Sequence, residues 1–140
     1  MKILIAVDGS AFTKRMLAYL TAHDEFPGKN HAYTVLTGVP PVPPRAAAVL
    51  DKKVLTDYYG DEAEKVLKPI RTFLAKQELN ASFAFKTGVA SDVIANVAEK
   101  GKFDLIVMGS HGHGTLTNLV LGSVATKVLA HGKVPVLLIR

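Results

Sequence analysis

Two hydrophobic rhythms alternate along this chain, and the switches between them mark its elements. Lys2 to Val7 is a near-continuous apolar run, the kind that is buried on both faces in the middle of a parallel sheet. His31 to Val39 reads as a second strand centred on Tyr33-Thr34-Val35-Leu36. Asn80 to Thr87 reads as a third through the alternation of Ala81, Phe83 and Phe85. Phe103 to Met108 is the fourth. Val134 to Ile139 is the fifth, with Pro135 suited to a strand beginning or an edge.

Between these runs the spacing changes to threes and fours. Met16, Leu17, Tyr19 and Leu20 predict a helix from Phe12, capped by Ser10 and stopped by Phe26-Pro27-Gly28. From Asp61, the residues Ala63, Val66, Leu67, Ile70, Phe73 and Leu74 predict a long amphipathic helix, in which Pro69 should make a kink or mark a local irregularity. Val93, Ile94, Val97 and Ala98 form the apolar face of a third, with Ser91 as N-cap after a turn at Gly88. Val124 to Leu129 predicts a fourth, with Ser123 as N-cap. Pro40-Pro41-Val42-Pro43-Pro44 fits neither a central strand nor a helix interior and reads as an extended surface connector. Five strands alternating with four helices predict an α/β fold, a doubly wound parallel sheet, in a single domain spanning residues 1–140.

Composition narrows this reading only at a few points. With 49% hydrophobic residues, 140 residues suffice for one core. No apolar run approaches the roughly 20 residues of a membrane span. Ile3 to Val7 is too short for a secretory h-region, so a cytoplasmic protein without a membrane anchor is expected. The absence of cysteine excludes disulfides and thiol catalysis. The formal charge of +5 invites a nucleic-acid reading, but the 17 Lys and Arg are scattered without interleaved aromatics. A basic solvated surface, with no nucleic-acid partner, is the expectation.

The chemistry concentrates after the fourth strand, in Met108-Gly109-Ser110-His111-Gly112-His113-Gly114 and onward to Gly122-Ser123-Val124. Glycines leave little side chain between the backbone and a ligand, and N–H groups at a helix start favour an anion. Phosphate suits such a loop. A P-loop is excluded because no Gly-Lys-Ser or Gly-Lys-Thr occurs, and the glycine order also fails the Rossmann fingerprint. What stands is Gly109-x-x-Gly112, nine residues, then Gly122-Ser123.

That spacing resembles the nucleotide-binding motif of the universal stress protein family. The likeness runs the length of the chain, from ILIAVDGS through IVMGSHG and GSVATKVL to PVLLIR. It implies a sheet ordered 3-2-1-4-5 and ATP, or the related AMP or ADP, in a crevice, with magnesium as an accompanying cation. It also implies a homodimer paired through strand 134–139 and a regulatory role in stress response with an unidentified protein partner. Carried over to this sequence, Gly109, Gly112, Gly122 and Ser123 would hold phosphates and ribose, and Val124 would add a backbone donor. Ala6, Val7 and Asp8 would lie beside the nucleoside or a metal, and Gly38 and Val39 would flank the adenine. Where relatives often have a His-Val pair, this chain has Thr37-Gly38.

His111 and His113 lie two apart in the loop, and no neighbouring cysteine or carboxylate completes a metal set around them. Hydrogen bonding close to phosphate is the expected role for both. No nucleophile–base–acid arrangement is evident, so at most slow ATP hydrolysis is expected. A nucleotide-independent dimeric scaffold of the same fold is the alternative, and the intact glycine spacing argues against it.

Overall fold

The computed structural model describes residues 1–23, 25, 28–114 and 120–140. Its sheet has five parallel strands in the order β3-β2-β1-β4-β5. The strands are β1 (Lys2–Ala6), β2 (Ala32–Val39), β3 (Ala81–Thr87), β4 (Leu105–Gly109) and β5 (Val136–Ile139). The helices among the described residues are α1 (Ala11–Ala22), α2 (Pro44–Ala48), α3 (Lys52–Lys76), α4 (Ala90–Lys100) and α5 (Ser123–His131).

Successive side chains of a strand point to opposite faces, so the apolar runs divide between two cores. Ile3, Ile5 and Val7 of the first run, with Tyr33, Val35 and Val39 of β2, pack against Met16 and Leu17 of α1 and Leu67 and Leu74 of α3. Leu4, Ala6, Leu36, Ile106 and Met108 pack on the other side against Val93, Ile94 and Ala98 of α4 and Ala125 and Val128 of α5. Each large aliphatic side chain buried this way contributes about 1.5–3 kcal/mol. With both faces of β1 covered, the strand has no polar position between Ile3 and Val7.

Several element boundaries differ from the sequence reading, each for a local reason. The fourth strand begins at Leu105 and not Phe103 because Phe103 closes α4. Its N–H donates to Ala98 O and that of Lys102 to Glu99 O, a Schellman closure. Likewise β5 begins at Val136, since Pro135 has no N–H and joins the sheet only through its carbonyl, which accepts from Ile106 N at 2.8 Å. Ser91 is not the N-cap of α4. Gly88, at φ +151°, turns the chain earlier, and Val89 takes that place while Ser91 is buried inside the first turn. In α5 the N-cap is Gly122, and Ser123 is the first helical residue. Ser10 does cap α1, accepting from Thr13 N at a long 3.5 Å.

The two larger corrections concern the third and second helices. Residues 44–48 form a short fifth helix, with Pro44 at its first turn, where a missing N–H is harmless. The long helix begins at Lys52, nine residues before the expected Asp61, and runs through Pro69 without a break. Its buried residues begin only at Ala63, so periodicity of core contacts locates its second half alone. The expected stop at Phe26-Pro27 lies outside the described residues; α1 itself ends at Ala22.

Candidate functional site

The chain leaves β1 toward β2 and β3 on one side, then crosses to β4 and β5 on the other. The winding therefore reverses between β1 and β4, and a crevice opens there beyond the strand ends. It encloses about 910 Å³. Ala6, Val7 and Asp8 line it from the end of β1, and Gly38 and Val39 from the end of β2. Met108, Gly109, His111, Gly112 and His113 line it after β4, and Gly122, Ser123 and Val124 at the start of α5. Ser110 is the one expected site residue that does not line it. It is 2% exposed and works underneath, where its N–H donates to Ile139 O and its carbonyl accepts from Gly122 N at 2.7 Å. Those two bonds tie both ends of the glycine loop to each other and to β5.

Asp8 occupies the β1–α1 turn. Its Oδ1 accepts from Ser10 N at 2.9 Å and from Thr13 Oγ1 at 2.9 Å, while Thr13 Oγ1 accepts from Asp8 N at 3.1 Å. Gly9 allows the turn through a φ of +77°. One carboxylate oxygen is thus committed to the turn. The other, Oδ2, stands where a Cβ on Gly112 would be. Gly112 is required by that contact: the loop backbone passes over the carboxylate with no room for a side chain. Gly122 is equally constrained, since its Cβ would stand 3.0 Å from His111 Cα and 3.2 Å from Ser110 O. Gly38 answers to a different neighbour, because its Cβ would lie 3.2 Å from Ala90 Cα, at the start of α4.

The two histidines separate. His113 Nε2 donates to the Asp8 carbonyl oxygen at 2.7 Å, which closes the loop across the mouth of β1. His111 Nδ1 and Ser110 Oγ form a hydrogen bond of 2.9 Å, and the imidazole lies 4.9 Å from the Phe12 ring centroid. Arg15 covers that phenylalanine, its Cζ 5.0 Å from the centroid.

Other crevice residues were not singled out from sequence. Thr13 fixes Asp8, and its only signal was its place in the first turn after Asp8-Gly9-Ser10. Glu62 and Val66 line the crevice from α3. Lys127 lines it one turn after Ser123, and among the described residues it is the one lysine or arginine there. Glu62 is engaged by Lys65 at 2.7 Å. The described residues contain no cluster of three or more His, Cys, Asp or Glu that would hold a metal alone. No helix among them is long and apolar enough to cross a membrane.

The crevice, the reversal point and the glycine spacing coincide, and comparison with known proteins matches the same chain end to end. The model of the universal stress protein family matches residues 1–140. The chain belongs to that family. A universal stress protein of Thermus aquaticus is 33% identical, the alignment covering 99% of this chain and 97% of that protein. The universal stress protein Slr1230 of Synechocystis is 31% identical over 139 residues, 99% of this chain and 42% of that protein, so this chain spans less than half of that relative. Among solved structures, the protein MJ0577 of Methanocaldococcus jannaschii superposes with a TM-score of 0.79 at 26% identity, covering 99% of this chain and 94% of that one. An Arabidopsis thaliana member solved with AMP bound superposes at 0.69 with 16% identity, covering 99% and 90% of the two chains. The Archaeoglobus fulgidus universal stress protein in complex with dAMP gives 0.64 at 21% identity, covering 100% and 98%. At those identities the last two show the shared fold.

Proposed function

We propose that this universal stress protein binds an adenine nucleotide, ATP or its relatives AMP and ADP, in the crevice between β1 and β4. Bound nucleotide would regulate the protein's conformation and its choice of protein partner in the cytoplasm. The observation that carries this reading is the glycine loop itself. Gly112 and Gly122 are held free of side chains by Asp8 and by the His111 and Ser110 backbone, and they flank an open crevice at the start of α5. Backbone N–H groups at that helix start, with Lys127 one turn in, suit phosphate oxygens. Ala6, Leu36, Val39 and Met108 give the remaining wall an apolar character suited to a base. The nucleotides bound by the Arabidopsis and Archaeoglobus structures agree in chemical class.

Magnesium fits this site only together with phosphate. Mg²⁺ is commonly held by one or two carboxylates plus phosphate oxygens and water. Asp8 offers Oδ2 for that purpose while Oδ1 stays in the turn. Glu62 is already paired with Lys65. Among the described crevice residues Asp8, Glu62 and His113 are each engaged by a neighbour, and the role proposed is binding with, at most, slow hydrolysis.

An amide-resolved NMR titration with AMP tests the reading. Shift changes are expected at Val7, Asp8, Gly109 to Gly112 and Gly122 to Val124, with residues of β3 and the outer face of α3 unchanged. Changes confined to another surface, or none at millimolar AMP, would refute it.

A further inference from the structure

The first half of α3 reaches the core only at its edge, through the half-buried Tyr59. No residue from Lys52 to Glu62 is fully buried, whereas Ala63, Leu67, Ile70 and Leu74 are. Apolar side chains are nevertheless concentrated there. Val49 is 83% exposed, Val54 50%, Tyr58 46% and Leu50 41%. Val54 and Tyr58 stand four apart in the helix and so make one stripe, with Val49 and Leu50 exposed in the turn just before it. With 3.6 residues per turn, that stripe lies roughly opposite the face carrying Ala63, Leu67 and Leu74. It is turned away from the domain.

The charges beside the stripe are segregated along the helix. Lys52 and Lys53 occupy the first turn, which holds no acidic residue, and the N-cap Asp51 makes no side-chain capping bond. Cations at that end face the positive pole of the helix dipole and are disfavoured unless something else attracts them. Asp57 and Asp61 follow on the stripe's flank. Among the described residues neither they nor Lys53 enters a salt bridge. Antiparallel pairing of two such helices sets Val54 against Tyr58 of the other copy and Lys53 beside the other copy's Asp57 and Asp61. That arrangement is a closed twofold contact, self-complementary in charge and in apolar surface.

We propose that the outward face of the first half of α3 is a self-association surface on which two copies of this chain pair their α3 helices antiparallel. It is independent of the nucleotide reading. It is also separate from the β5 edge, because α3 packs on β2 and β3 at the opposite side of the sheet.

Sedimentation velocity at high micromolar concentration tests it, with Leu138→Pro carried in every variant so that the β5 edge does not contribute. The Leu138→Pro protein is expected to sediment at twice the monomer mass, and adding Val54→Asp and Tyr58→Asp should halve it. Lys53→Asp alone, and Asp57→Lys with Asp61→Lys alone, should each give monomers. An equimolar mixture of those two charge variants should recover the dimer mass, since one copy then carries the acidic flank and the other the basic one. The α3 positions are all exposed while Leu138 is half-buried against the second core, and circular dichroism checks that each variant, Leu138→Pro first, is folded. A folded Leu138→Pro protein that stays monomeric, a Val54→Asp/Tyr58→Asp variant of undiminished mass, or a mixture that remains monomeric would each overturn the proposal.

Discussion

Asp8 and Gly112 show how one atom-scale contact fixes two positions at once. The carboxylate cannot swing away from a new Cβ without giving up Ser10 N and Thr13 Oγ1. Gly112→Ala should therefore destabilise the fold by about 1–3 kcal/mol, the range for overpacking. Asp8→Ala should cost about 1 kcal/mol through the lost turn bonds. The double mutant should be more stable than the sum of the two, because removing the carboxylate makes room for the alanine; urea denaturation of the four proteins measures that coupling. Additive losses would mean that the two residues do not touch. A second residue-scale expectation concerns Glu78 and Lys102, non-glycine residues at φ 57° and 54° just past the ends of α3 and α4. A left-handed conformation strains a Cβ, so Glu78→Gly and Lys102→Gly should each stabilise by about 0.5–1 kcal/mol, net of the greater freedom glycine gives the unfolded chain. Thermal melts of the single variants decide this.

Among the elements, the strands were the most legible in the sequence, and α2 and the first half of α3 the least. Continuous runs such as Ile3 to Val7 announce burial on both faces, and all five strands lie where those runs predicted them, within two residues of the expected starts. Periodicity reports contact with a core, and Lys52 to Gly60 has little, so half of α3 left no periodic signal. Pro44-Arg45-Ala46-Ala47-Ala48 was hidden by the prolines before it. The glycine spacing was legible because the backbone needs those residues, and Gly109, Gly112 and Gly122 all meet close neighbours. The support behind the site was not: nothing in the sequence says that Ser110 faces away from the crevice, or that His113 reaches the Asp8 carbonyl. Such facts depend on which strands become neighbours. Pro69 gives α3 its own test. Its side chain is exposed, and its ring removes a helical donor to Lys65 O and crowds that carbonyl. Pro69→Ala should stabilise the protein by about 1–3 kcal/mol, read by urea denaturation. An unchanged midpoint would show that the helix already accommodates the ring without cost.

At the scale of the whole molecule, the doubly wound order leaves β3 and β5 as edges and gathers the polar strand ends at one crevice. Ile106 N donates to Pro135 O and Ser110 N to Ile139 O, so the odd-numbered residues of β5 bond to β4. The N–H groups of Val136 and Leu138 consequently face outward. An unprotected apolar edge of this kind favours pairing with a second copy, and we propose the homodimer through residues 134–139 on that ground. Leu138→Pro removes an outward donor while leaving the ladder to β4 intact. In a Val54→Asp/Tyr58→Asp background, it should convert a dimer into a monomer in sedimentation velocity; an unchanged mass would exclude the β5 edge. Asp8→Ala should weaken binding of magnesium-nucleotide more than of metal-free nucleotide, because losing a carboxylate removes attraction to the cation and relieves repulsion from phosphate. Equal affinity changes with and without magnesium would remove Asp8 from the metal's surroundings. The most direct test is calorimetric titration of AMP, and of ATP with magnesium, into the wild-type protein and into Gly112→Val, with circular dichroism confirming that both are folded. Saturable binding to the wild type and its loss in the variant is the expected result. No binding to the wild type, or equal affinity in a folded Gly112→Val protein, would contradict a nucleotide site at the glycine loop.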